Sequence, residues 1–460
     1  MRMKKLLVAV LTVVMATNVA LFTGCGTKGG AANTLEILVT DAGYGTDWVY
    51  ALKDLFVEQS WVKEKYSDIK IQIATSDDQT MVQSRLNAGE KSNHYDLLFG
   101  IGLWEYFGQG GPLLDLTESV YKTTVPGEDI LLYDKMDNSF CSSLGIAEVG
   151  MTDVAYYATP WVGGMEGILY NEDLFVANNL SVPNTTDELI FDVCAEYKAK
   201  GDENYSFIQS YDANYFDYLF PVWWAQYQGI DGYENYFNGI DNDTYSNRIF
   251  DQKGREYALE VFEALLDYDK GYVNPKSFTE KFQIAQSLFI DGGALMHVNG
   301  DWFSSEMRDV MDRKGDNAPK IKMMRTPIIS KLGEKLGITD LELSAVVSYV
   351  DDVGAGEAPE IPSFTSSKGY STEAVIDAVT EARMIVNTIG SAHSAVIPKY
   401  AVAKDLAIDF LRFMATDIAL DVFAEKTDGA TLPYDHTVDG ELYGKLALAQ
   451  QTRLDYFQSA

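Results

Sequence analysis

Of the seven tryptophans, three stand where core packing explains them less easily than it would on a helix face. Trp104, Trp161 and Trp302 each follow an apolar run or occupy a turn. Trp223 and Trp224 adjoin in a stretch of unusual aromatic density. Residues 205–237 hold thirteen aromatic side chains, whereas the whole chain averages 12%. A sugar has apolar C–H faces ringed by hydroxyls. Flat rings stack on the faces, and Asp, Glu, Asn or backbone groups take the hydroxyls. Core packing is the usual fate of an aromatic side chain, so position carries more weight here than number.

Other chemistry finds no footing. The chain has no Gly-x-Ser-x-Gly elbow, no phosphate loop and no His-Glu-x-x-His. His94, His297, His393 and His436 are scattered without ligand spacing, and His297 reads as a core residue of an apolar strand. Asp241-Asn242-Asp243 lacks the Gly and the bidentate Glu of a calcium loop. Carboxylates are abundant, yet no spacing singles out a glycosidase pair. No metal and no cofactor are expected.

The elements that must position these residues alternate. Leu35–Val39, Ile69–Ile73 and Tyr95–Phe99 read as strands. Between the first two, Trp48, Leu52, Leu55 and Phe56 share one helical face, and Met81, Val82 and Leu86 mark a second helix. This pattern predicts an α/β fold with mostly parallel sheets. Ligands then bind beyond the carboxyl ends of the strands. Those ends are the loops that hold Asp41 and Tyr44, Asp77, and Trp104. Farther on, Gly163, Gly164 and Gly167 flank Glu166 beside Trp161. Glycine tolerates positive φ and close approach of other groups, so this stretch suits a hinge between two lobes. Residues 331–370 look loose, with Gly354, Gly356, Pro359 and Pro362 close together.

The N-terminus reads as an export signal. Arg2, Lys4 and Lys5 precede an apolar run over residues 6–14, which is too short for a comfortable span. Leu21-Phe22-Thr23-Gly24-Cys25 resembles a bacterial lipobox, which implies lipidation of Cys25. Residues 26–33 suit a flexible tether. Three cysteines are too few for a disulfide framework. Net charge is −32, with 68 acidic against 36 basic residues. Such a surface repels nucleic acid.

The run from Gly164 to Phe175 resembles the "G-x-x-Y-N-K-D-L-F" crossing of the family 1 extracellular solute-binding proteins. These serve ABC importers and are akin to maltose-binding protein. Phe289-Ile290-Asp291-Gly292-Gly293-Ala294-Leu295-Met296, with Asn299-Gly300-Asp301-Trp302, resembles that family's "F-x-x-G-x-A-A-M-x-x-x-G-x-W". Residues 404–411 look like its "K-E-L-A-x-x-F-L" helix, and Gly429-Ala430-Thr431-Leu432-Pro433 fits its late turn. The resemblance implies a two-lobed periplasmic-binding-protein-like fold of type II, each lobe a mostly parallel sheet flanked by helices. It divides the chain into a signal peptide (1–24), lipidated Cys25 and tether (25–33), first lobe (34–160) and second lobe (161–326). A return to the first lobe (327–415), with an insertion at 331–370, and a final second-lobe segment (416–460) complete it. It implies ligand contacts from Asp41, Tyr44, Asp77, Trp104, Trp161, Glu166, Tyr218, Trp223, Trp224, Asp301 and Trp302. The two tryptophans 223 and 224 are expected on a second-lobe loop. The implied function is capture of an oligosaccharide, without catalysis, for a permease. The protein would be a monomer held by lipid at the outer face of the bacterial membrane. A surface glycoside hydrolase and a binder of a cation such as a polyamine are the alternatives.

Overall fold

The computed structural model describes residues 32–147, 153–213, 215–241 and 244–458. The residues read as an export signal, and Cys25 with them, lie outside the described residues. Nine strands carry the architecture. They are β1 (Thr34–Thr40), β2 (Lys70–Ser76), β3 (Leu97–Ile101), β4 (Thr159–Pro160), β5 (Met165–Asn171), β6 (Met296–Gly300), β7 (Ile321–Met324), β8 (Asn387–Thr388) and β9 (His393–Val396).

The first sheet has the order β2-β1-β3-β9-β4. Its first three strands are parallel, with Ile37 opposite both Ile73 and Leu97. β9 runs antiparallel to β3 and to β4. Helix α1 (Asp47–Glu58) buries Trp48, Val49, Leu52 and Phe56 at helical spacing. Trp48 stacks on Trp161 with centroids 5.2 Å apart, and Phe99 and Phe423 meet it edge-on. These rings form the centre of the first lobe's core.

The second sheet has the order β6-β5-β7, with β8 also paired to β5. All these pairs are antiparallel, where a mostly parallel sheet was expected. The reason is the entry of β5. It arrives from the first lobe and runs against strands that the second lobe's own helices feed. Parallel pairing in this lobe is limited, among the described residues, to bridges such as Phe207 with Met296.

Three segments connect the lobes side by side. The first runs from β4 to β5 through residues 161–164, the second from β8 to β9 through 389–392, and the third passes Thr431. Gly163 N–H donates to the Thr431 carbonyl (2.7 Å), and Ile389 N–H to the Gly164 carbonyl (2.9 Å). Gly164 has φ +57°, and a Cβ there would lie 2.3 Å from Ile389 Cδ1. A Cβ on Gly163 would lie 2.8 Å from Thr431 Cγ2. Gly167 is different. It pairs with Asn299 inside β5, and a Cβ there would meet only ordinary contact, 3.5 Å from Met323 Sδ. It belongs to the sheet, not to the hinge.

The chain's path departs from expectation after residue 326. Ile328, Leu343, Val346, Val347, Val375 and Val379 lie in the second lobe's core. The return to the first lobe comes at 389–392, just before β9. Residues 404–426 pack on the first lobe, through Leu406, Phe410, Phe413 and Phe423. Helix α2 (Leu219–Gln228) packs in the second lobe. The stretch read as loose holds α3 (Asp340–Gly354), opened by a capping box of Thr339 and Glu342. Helix α4 (Leu448–Gln458) then packs beside β7.

Candidate ligand-binding cleft

A cavity of about 980 Å³ opens between the lobes. The first lobe contributes the ends of its three parallel strands. Asp41, Ala42 and Gly43 follow β1, Asp77 and Gln79 follow β2, and Ile101 closes β3. These side chains reach the cleft because loops at the carboxyl ends of parallel strands gather on one side of a sheet. The second lobe contributes Trp302 and Glu306 after β6, Tyr215 and Tyr218 before α2, and Asp212 and Gln283.

Three rings make one wall. Tyr215 and Tyr218 stack at 5.3 Å, and Trp302 meets them edge-on at 6.4 and 6.1 Å. Trp302 folds back over Gly300. A Cβ on that glycine would sit 2.0 Å from Trp302 Cζ3, so position 300 has room only for hydrogen. Gly43, with φ +89°, lets the opposite loop approach. A Cβ there would come within 3.1 Å of the Trp302 ring and 3.0 Å of Glu306 Oε1.

The carboxylates are unevenly solvated. Asp77, Asp212 and Asp217 are exposed, and Asp41 accepts from Gly43 N–H (3.1 Å). Glu306 accepts from the Gln286 amide (2.8 Å). Burial, with the facing charge of Asp41, pushes the Glu306 carboxyl up to about 7. His393 also lines the cleft. Burial pulls its imidazole down to about 3, so it is neutral.

The sequence-derived site residues therefore divide. Asp41, Asp77, Tyr218 and Trp302 line the cleft. Trp161, Trp223 and Trp224 are buried in the two cores. Trp223 donates its indole N–H to the Pro327 carbonyl (3.1 Å), and Trp224 to Gln252 (2.8 Å). Both lie on α2, not on a loop, and the helix turns them inward. Trp104 is exposed on a short turn after β3 and is not among the cleft's lining residues.

Tyr44, Asp301 and Glu166 lie behind the cleft wall, as structural ties. The Tyr44 hydroxyl donates to Asp301 (2.7 Å), whose other oxygen accepts from Thr431 N–H (2.6 Å) and Oγ1 (2.5 Å). Asp301 and Trp302 are neighbours in sequence, yet only the tryptophan faces the cleft. Sequence reading missed Tyr215, Asp217, Glu306 and Gln283. Tyr215 could have been found from Tyr218, three residues on along one helical turn. Glu306 stands four residues after Trp302, a spacing that shares a helical face.

Glu166 is 7% exposed and accepts from the Asn387 amide. Burial, then the charge of Asp301, push its carboxyl up to about 8. A folded-state value above the ordinary one means its contribution is full below about pH 4.5 and is lost as pH rises towards 8. Glu166→Gln is neutral at every pH. The variant is expected to match the wild type near pH 5 and to melt higher above pH 8, by on the order of 3–5 kcal/mol. Melting curves at both pH values check this, and an unchanged difference between them would exclude a buried neutral carboxyl.

A two-lobed frame with three adjacent crossings and a polar, aromatic cleft defines a solute-binding protein. The chain belongs to the bacterial extracellular solute-binding proteins, whose sequence pattern matches residues 42–419. That family consists of binding proteins and not enzymes, which removes the hydrolase alternative. The diacetylchitobiose binding protein NgcE of Streptomyces coelicolor is 26% identical over 287 residues, covering 61% of this chain and 55% of the relative. The chain thus matches about half the length of that curated relative. A chitin oligosaccharide binding protein superposes with a TM-score of 0.56 at 17% identity, over 92% of this chain and 86% of that one. The maltose-bound MalE3 of T. maritima gives 0.56 at 16%, over 93% and 88%. At such identities the likeness is one of fold. Among the described residues, no helix is long and apolar enough to cross a membrane.

Proposed function

We propose that the protein captures an oligosaccharide in the interlobe cleft and delivers it, unaltered, to the transmembrane subunits of an ABC importer. A lipid on Cys25 would hold it, as a monomer, at the outer face of the bacterial membrane. The observation that supports this most is the wall of Trp302, Tyr215 and Tyr218 facing Asp41 and Asp77 across the cleft. Rings take the sugar faces, while carboxylates and the amides of Gln79 and Gln283 take the hydroxyls. The volume of about 980 Å³ stands at the top of the range for drug-sized ligands, which suits several sugar units better than one. The oligosaccharide named for the curated relative points the same way. Delivery requires that ligand bind the closed form more tightly than the open one, so that occupancy shifts the population the permease meets.

A calorimetric and thermal-shift screen over mono- and oligosaccharides tests the reading. A cognate sugar at a hundred times its Kd should stabilise the fold by about 2.7 kcal/mol. Sugar recovered after incubation should be chemically unchanged. Failure of every neutral and charged oligosaccharide to bind would reject it.

A further inference from the structure

Among the described residues, five carboxylates line the cleft, from Asp41, Asp77, Asp212, Asp217 and Glu306, and no Lys or Arg does. Among the described residues, none of the five has a basic side chain within ion-pair distance. They sit on opposite jaws. Asp41 and Asp77 belong to the first lobe, and Asp212, Asp217 and Glu306 to the second.

The jaws meet closely here: a Cβ on Gly43, in the loop that carries Asp41, would lie 3.0 Å from Glu306 Oε1. Burial first, and the Asp41 charge after it, raise the Glu306 carboxyl. His393, the remaining titratable nitrogen on the wall, is 8% exposed and held neutral, and its Nδ1 has no hydrogen-bond partner among the described residues. It supplies no counter-charge. Closing on a neutral sugar would bring like charges together in a drier, lower-dielectric space. Closing on a cation would turn the same charges to advantage. The aromatic wall favours a cation as well, because ring faces attract ammonium groups.

We propose that the cleft selects a sugar carrying protonated amines, of the amino-sugar oligomer class, over its neutral counterpart. This rests on the reading of the cleft as a carbohydrate site and adds the ligand's charge to it. The ammonium groups would bridge the carboxylates of the two jaws, while the rings of Trp302 and Tyr218 hold the sugar faces.

The test is titration of the wild-type protein with short β-1,4-linked glucosamine oligomers and with the same oligomers fully N-acetylated. Spermidine serves as an amine without a sugar. The glucosamine oligomers are expected to bind at least about tenfold tighter at low salt. The advantage should narrow towards about 0.5 M salt, as screening requires. In a doubly neutralised variant, Asp217→Asn with Glu306→Gln, the ratio between the two oligomers should shrink several-fold. Equal or tighter binding of the acetylated oligomers would overturn the charge selection and leave the carbohydrate reading standing. Spermidine binding as tightly as the amino sugar would overturn the amino-sugar assignment in favour of a plain polyamine. Binding by none of the three would overturn the amino-sugar proposal, and the wider oligosaccharide screen then decides the carbohydrate reading separately.

Discussion

Trp302→Ala is expected to weaken binding of the cognate sugar by about thirtyfold, roughly 2 kcal/mol. The ring is the centre of the aromatic wall, edge-on to Tyr215, Tyr218 and Tyr44. Removing it takes away the one indole that lines the cleft, itself only 7% exposed, and the ring that meets both tyrosines. The loss should appear in the dissociation rate, since the ring acts after encounter. Trp302→Phe keeps a smaller face and should fall between the two. Because Trp302 also packs on Gly300 and beside Gly43, the alanine variant should melt lower. Calorimetry on protein shown to be folded by circular dichroism separates the effects. A folded variant with wild-type affinity would remove Trp302 from the site and with it the main support for a sugar ligand.

How much of this cleft was legible depended on the kind of signal. Strands β1, β2 and β3 alternate or run apolar between turns, and their loops must gather at the sheet's carboxyl edge. Asp41 and Asp77 could therefore be placed without coordinates. The aromatic density of 205–237 was visible too, but its use was not. Trp223 and Trp224 are adjacent on a helix packed on both sides, one side against Phe262 and the other against Tyr233 and Tyr236. Neighbouring positions on such a helix are both buried, and no spacing in the sequence tells that from a binding loop. Asp301 was expected in the cleft with Trp302, within the same family-like motif. At a strand's end, consecutive side chains point apart, and the aspartate faces Tyr44 and Thr431 instead. The segment around α3 was half legible. Gly356, Pro359 and Pro362 do stand in irregular chain after the helix, but Thr339-Asp340-Leu341-Glu342 ahead of Val346, Val347 and Val350 was an ordinary helix start.

The buried residues behind the cleft explain why the two jaws stay in register. The same loop that brings Asp41 to the cleft wall carries Tyr44 back to Asp301 in the other lobe. One short segment thus joins the cleft wall to the crossings, without a long path between them. Thr431, on the third crossing, shares that carboxylate. One carboxylate thus ties the first lobe, the second lobe and the third crossing together.

Asp301→Ala should consequently be the most disruptive single change outside the cleft. Asp301 is fully buried and is held by Tyr44, the Thr431 backbone and the Thr431 hydroxyl. Arg453 is buried nearby, its charge disfavoured by burial and favoured by Asp301. Alanine would strand two hydroxyl donors and a backbone N–H, and leave the guanidinium without its compensating charge. Losses of this kind cost about 3–5 kcal/mol, or on the order of 5 °C in melting temperature for a chain of this length. Tyr44→Phe removes a single donor and should cost about 1–2 kcal/mol. The two variants also differ from a plain core defect in what they do to shape. With the tie between lobes cut, the ligand-free protein should show a larger radius of gyration in solution scattering, and sugar should restore the compact form. A melting temperature and scattering curve unchanged in Asp301→Ala would mean that this carboxylate neither stabilises the fold nor holds the lobes, and that the crossings alone set their angle.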